Sequence, residues 1–176
     1  MKLYLSRHGE TDINALDRVC GLTEAMLTEK GRCQTKALGE RVKEKNIDII
    51  ISSPMIRARE TAQIAASVCG APVITDNRLI EQNYGIYEGV DRYHEGFLSN
   101  KRMFAYKYPG GESMMQVAYR TYSFIEDIKE KYPDKNVLVV CHGGVCRVLR
   151  TYFVDMTNDE FFHYAMDNAG LEEYEL

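Results

Sequence analysis

Leu3-Tyr4-Leu5-Ser6-Arg7-His8-Gly9-Glu10-Thr11 is the stretch from which the fold can be read. A short apolar run ends abruptly in a cation, an imidazole and a glycine, as a doubly covered strand does where it meets a loop in an open α/β sheet. Downstream, Val137-Leu138-Val139-Val140 runs into Cys141-His142-Gly143-Gly144 in the same manner. Two strand ends each deliver a histidine followed by glycine. If the strands are neighbours, the imidazoles face one pocket.

Residues 47–51, apolar but for Asp48, form a third run and Val73-Ile74 a short fourth one. Unbroken rather than alternating runs indicate strands of a parallel sheet with helices on both faces. Thr28 caps a helix running to about Lys45, with Ala37, Leu38 and Val42 inward. Ser53-Pro54 reads as an N-cap with proline at the first helical position, for a helix continued by Ile56, Ile64, Ala65 and Val68 and stopped at Gly70. Ser113 and Gln116 make a capping box for a third helix, which Pro133 ends. Residues 78–112 are irregular and rich in Tyr and Phe, so one domain over 1–176 with a small inserted cap is expected. After Asn168-Ala169-Gly170, the last residues suit a closing edge strand, and Asn168 is placed to support the pocket.

Composition excludes several classes. With 176 residues, 45% hydrophobic and 27% charged, the chain has the make-up of a soluble globular domain. A net charge of −4 offers no general attraction for nucleic acid or anionic membrane, so any positive field must be local. No apolar run approaches the ~18 residues of a membrane span, and no signal-like segment opens the chain. The five cysteines lack paired spacing, which argues against a disulfide framework or zinc site and for a reducing cytoplasm.

Phosphoryl transfer requires positive charge around the equatorial oxygens and an in-line nucleophile. Arg7 and His8 supply both, and Arg57, in the first turn of the helix after the third apolar run, adds a second guanidinium. As a nucleophile, His8 must be neutral, with its other ring nitrogen donating to a fixed acceptor such as a backbone carbonyl.

Five ordered blocks then carry a resemblance: Arg7-His8-Gly9-Glu10-Thr11 with Asn14; Ser52-Ser53-Pro54-Met55-Ile56-Arg57-Ala58 with Thr61-Ala62; Glu81-Gln82-Asn83-Tyr84-Gly85 before Glu88-Gly89; Pro109-Gly110-Gly111-Glu112-Ser113; and Cys141-His142-Gly143-Gly144. Together they resemble the histidine phosphatase superfamily, in its phosphoglycerate mutase-like branch. The resemblance implies a three-layer α/β/α sandwich around a mostly parallel sheet. It implies that His8 attacks phosphorus, that Arg7, Arg57 and His142 bind the phosphoryl group with Asn14, Gly21 and the Gly143 backbone helping, and that Glu81 serves as acid and then base. It also puts Tyr84 on the cap side of the substrate and requires no metal or cofactor. His94 and His163 lie outside the blocks and receive no role.

Three other readings compete. Cys141 to Arg147 matches C-x5-R, the phosphate loop of cysteine-dependent phosphatases, but that reading leaves Arg7-His8 without a purpose. A phosphate-binding module without turnover would be expected to have lost His8, His142 or Glu81, and all are present. A cofactor-dependent phosphoglycerate mutase, working with 2,3-bisphosphoglycerate, would be longer and more basic in the cap. Here the cap's Arg92, Lys101, Arg102 and Lys107 fall in no mutase-specific block, and its aromatic content suits an apolar leaving group. The expected protein is therefore a phosphatase of a small phosphorylated metabolite, monomeric or homodimeric, with ribazole phosphate, sugar phosphate and phosphoserine among the substrates the resemblance permits.

Overall fold

In a computed structural model describing residues 1–176, the apolar runs become strands of one five-stranded sheet. The elements follow in the order β1 (Lys2–Arg7), α1 (Asp12–Ala15), α2 (Glu29–Lys43), β2 (Ile49–Ser52), α3 (Ile56–Cys69), β3 (Val73–Thr75), α4 (Glu95–Lys101), α5 (Met114–Lys131), β4 (Asn136–Cys141), α6 (Gly143–Arg150), α7 (Asn158–His163) and β5 (Leu171–Glu175). The strand order is β3-β2-β4-β1-β5. The first four are parallel, and β5 closes the edge antiparallel to β1.

Side-chain alternation along the strands builds two cores, one on each face of the sheet. Leu3, Leu5, Val137 and Val139 pack with Val117, Phe124 and Ile125 of α5 and with Leu149 of α6. Tyr4, Ile50, Leu138 and Val140 face the other way, onto Leu38 and Val42 of α2 and Ala58, Ala62 and Ala65 of α3. The result is a three-layer α/β/α sandwich. Burial of each Leu or Ile contributes about 1.5–3 kcal/mol, which is why the strand runs are unbroken.

Caps fix the helix starts that position the site. Thr28 accepts from Gly31 N at 3.0 Å to open α2, and Ser113 and Gln116 form a reciprocal box at α5. Gly70, at φ 78°, ends α3 in the left-handed region. The expected Ser53-Pro54 start of α3 is corrected: the helix begins at Ile56 with Met55 as N-cap. Ser53 is held elsewhere, its N–H donating to Val140 O at 3.0 Å and its hydroxyl lying 2.8 Å from His142.

The register places Leu3 opposite Val137 and Arg7 opposite Cys141. His8 and His142 therefore leave adjacent strands at the same level. Between β3 and α5 the chain forms no strand, only two 3₁₀ turns and α4. A small core of Val19, Tyr84 and Tyr108 ties this segment to the loop after α1. No helix is long and apolar enough to cross a membrane.

Candidate active site

His8 is the first residue beyond β1 and is 4% exposed. Its Nδ1 lies 2.7 Å from Gly9 O and donates to it, which leaves the Nε2 lone pair unprotonated. Burial first, then the charges of Arg57 and Arg7, hold its pKa well below the ordinary histidine value. Gly9 allows this turn because a Cβ there would come within 2.6 Å of Gly31 O. Its N–H donates to Thr61 Oγ1 at 3.1 Å, and Asn168 Nδ2 donates to His8 O at 3.1 Å.

His142, just beyond β4, is fully buried, with its ring centroid 5.1 Å from that of His8 and the planes at 61°. Arg57 Nε donates to His142 Nδ1 at 3.2 Å, so the proton sits on Nε2 and is donated to Ser53 Oγ at 2.8 Å. Burial, followed by Arg57 and His8, keeps this imidazole neutral as well. Arg57 also donates to Thr23 O at 2.9 Å and to Gly21 O at 2.7 Å.

Arg7 donates from Nη1 to Met166 O at 2.9 Å, while its buried Nε–H has no partner. Across from it, Glu81 is 4% exposed and caps α6, accepting from Gly144 N at 3.0 Å and Val145 N at 3.2 Å, and from Gln82 N at 2.8 Å. Gly144 permits this approach, since a Cβ there would lie 2.7 Å from Glu81 Oε1 and 2.8 Å from the Tyr84 hydroxyl. Arg7, His8, Asn14, Glu81, Tyr84 and Gly143 line one cavity of about 130 Å³.

Three residues expected on the phosphate stand differently. Arg57 and His142 lie behind His8 rather than on the cavity wall, because Gly21 O, Thr23 O and Ser53 Oγ draw them inward. Gly21 does not line the cavity either. Its N–H donates to Glu88 Oε2 at 3.0 Å and its carbonyl accepts from Arg57, so it anchors the arginine.

The cysteine reading, set aside on the sequence, gains nothing from the geometry. Cys141 is fully buried in the apolar core, 3.4 Å from Cys146 Sγ and off the cavity wall.

The aromatic residues expected to meet the leaving group do line the cavity, and cations share its wall with them. Tyr84, Phe97 and Tyr108 pack on one another at 5.2–5.6 Å between centroids, and the cavity they share is lined with Arg18, Arg92, Lys101 and Arg147. Sequence reasoning missed Arg18 on this wall and named Arg147 only as the arginine of the cysteine motif; it also missed the roles of Ser53 and Glu88. Ser53 and Glu88 both lay inside quoted blocks, which was the available signal; Arg18 carried none. His94 caps α4 by accepting from Gly96 N at 3.1 Å, and His163 lies on the surface. No group of three or more His, Cys, Asp and Glu side chains is placed to hold a metal ion.

The family model for the histidine phosphatase superfamily (branch 1) matches residues 3–176. Phosphoserine phosphatase 1 of Hydrogenobacter thermophilus is 30% identical over 177 residues, covering 97% of this chain and 84% of that protein. An Escherichia coli O1:K1 protein named "Probable phosphoglycerate mutase GpmB" is 36% identical over 150 residues, covering 81% and 70%. Among solved structures, mycobacterial glucosyl-3-phosphoglycerate phosphatase superposes with a TM-score of 0.87 at 27% identity, covering 98% of this chain and 88% of that one.

Proposed function

The chain belongs to the histidine phosphatase superfamily, and on that footing we propose that it hydrolyses phosphomonoesters of small metabolites through a phosphohistidine on His8. The observation that carries this reading is the state of His8: neutral, with Nδ1–H fixed on Gly9 O and Nε2 left as a nucleophile beside two guanidinium groups.

In the first step the Nε2 lone pair attacks phosphorus as the phosphorus–ester oxygen bond breaks, and Glu81 gives its proton to the departing oxygen. In the second, Glu81 takes a proton from water, whose oxygen attacks the phosphohistidine and releases inorganic phosphate. His8 returns to its neutral form. Arg7, with a buried N–H that has no other partner, answers the equatorial charge directly. Arg57 adds its charge from behind His8 and holds His142 edge-on to it. Asn14 and the Gly143 backbone support the phosphoryl group from the cavity wall. The positive charge that this chemistry needs comes from side chains, so no metal enters any step.

A cavity of about 130 Å³ lies well below the roughly 300–1,000 Å³ of drug-sized sites, which supports a small metabolite. The unpaired cysteine spacing supports a cytoplasmic setting. A mutase is the second reading, favoured by the GpmB similarity and by Arg92 and Lys101 on the cavity; it alone would call for 2,3-bisphosphoglycerate. The test is hydrolysis of p-nitrophenyl phosphate and a phosphometabolite panel, with and without EDTA, alongside 3-phosphoglycerate isomerisation primed with 2,3-bisphosphoglycerate. Phosphate release indifferent to EDTA is expected. Inactivity on every ester, loss with EDTA, or isomerisation outrunning hydrolysis would defeat the proposal.

A further inference from the structure

Two thiols that take no part in the chemistry stand in contact directly behind it. Cys141 closes β4 and Cys146 lies in the first turn of α6; both are fully buried, and their sulfurs are 3.4 Å apart. The residues between them carry part of the site. His142 follows Cys141, Gly143 lines the cavity, and Gly144 and Val145 present their N–H groups to Glu81 at 3.0 and 3.2 Å. Both cysteines are also tied to the two histidines through the backbone. Cys141 O accepts from His8 N at 3.0 Å, and Cys146 N–H donates to His142 O at 2.7 Å.

A disulfide holds its sulfurs about 2.05 Å apart, so bonding this pair would close the gap by about 1.4 Å. That movement draws the end of β4 onto the first turn of α6, across the segment that seats His142 and caps Glu81. A misplacement of about 1 Å in such a constellation costs on the order of 10²-fold in turnover. Gly143 and Gly144 line the cavity, so a small oxidant entering it comes within two residues of Cys146. In a reducing compartment a disulfide of this kind is transient and serves sensing rather than structure.

We propose that Cys141 and Cys146 form a reversible redox site, oxidised by hydrogen peroxide, whose disulfide switches the enzyme off by displacing His142 and the cap on Glu81. One sulfur gives up its proton and attacks the peroxide; the O–O bond breaks, leaving a sulfenic acid and one water. The second sulfur attacks the sulfenic sulfur, and the departing hydroxyl takes its proton as a second water. Two thiols thus lose two electrons and one peroxide becomes two waters. A dithiol reverses the bond by exchange. The loss of activity rests on the phosphatase reading; the disulfide does not.

The test treats the reduced protein with hydrogen peroxide, quenches with catalase, alkylates free thiols and reads intact mass, peptide map and p-nitrophenyl phosphate turnover. A cross-link between Cys141 and Cys146, a fall in kcat of roughly tenfold or more and recovery with dithiothreitol are expected. The ratio of oxidised to reduced turnover, taken within each protein, should stay near one in Cys141→Ala and in Cys146→Ala. It should still fall in Cys20→Ser, which removes the thiol on the cavity wall. The proposal is overturned by no cross-link, a cross-link without loss of turnover, a loss that dithiothreitol leaves in place, a loss that survives in both alanine variants, or a loss abolished by Cys20→Ser. If the reduced protein hydrolyses no ester, the phosphatase reading fails separately. The switch is then read from the cross-link together with tungstate binding by calorimetry, where weakening of about tenfold or more on oxidation supports it and unchanged binding overturns it.

Discussion

The inner and outer walls of the cavity are made in different ways. Inside, Arg7 and His8 form the wall at the end of β1, backed by Arg57 in the first turn of α3 and His142 at the end of β4, and most of their polar atoms are engaged. Outside, Arg18, Arg92 and Lys101 come from segments without strands, gathered by Glu88 and a cluster of aromatic rings. Chemistry that depends on sub-ångström placement is built on the sheet, whereas selection among leaving groups is left to segments that tolerate change.

If this division holds, damage inside should fall on kcat and damage outside on KM. The largest expected effect is His8→Ala, which should lower turnover by at least ~10⁴-fold with the fold retained, as read by single-turnover kinetics and circular dichroism. Arg57→Lys should lose roughly 10²-fold in kcat, since an ammonium cannot hold His142, Gly21 O and Thr23 O together. A KM effect alone there would break the contrast between the walls.

Glu88→Gln should act mainly on KM, by about tenfold, because its carboxylate accepts from Gly21, Leu22 and Thr23 and ties the outer wall to the inner one. Steady-state kinetics would separate that from a fall in kcat. Ser53→Ala leaves the buried His142 Nε2–H without its acceptor, at a cost of about 1–3 kcal/mol in urea unfolding.

A pH dependence sharpens the electrostatic side. His8 and His142 both hold their protons far more weakly folded than unfolded. As pH falls through about 6.5 the unfolded chain takes up protons at both sites while the folded one does not, so stability is lost on acidification. Each contributes up to about 1.4 kcal/mol per pH unit below that point. The urea midpoint should therefore drop between pH 7 and pH 5.5, and an unchanged midpoint would count against two buried neutral imidazoles.

The two walls also differ in how far the sequence exposed them. The runs at residues 3–5 and 137–140 read as strands that would bring His8 and His142 together if they were neighbours, and the sheet pairs them in parallel. The same reading started α3 two residues early, because Ser53 is drawn into pairing with Val140 and His142, which no helix-capping rule contains. That Arg57 sits behind His8 depends on carbonyls at Gly21 and Thr23, more than thirty positions away and in no periodic segment. The outer wall was read only in part: its aromatic residues do line the cavity, but the cations beside them come from dispersed positions, Arg18 and Arg92 in loops, Lys101 on α4 and Arg147 on α6, which share no periodicity.

The central claim, that His8 carries the phosphoryl group, is tested most directly by rapid acid-free quenching of the enzyme with a ³²P-labelled phosphomonoester and assay of the trapped label. A phosphoenzyme that is acid-labile and alkali-stable, present in wild type and in Cys141→Ser and absent from His8→Ala, is the predicted result. Label that persists in His8→Ala and vanishes in Cys141→Ser would contradict it.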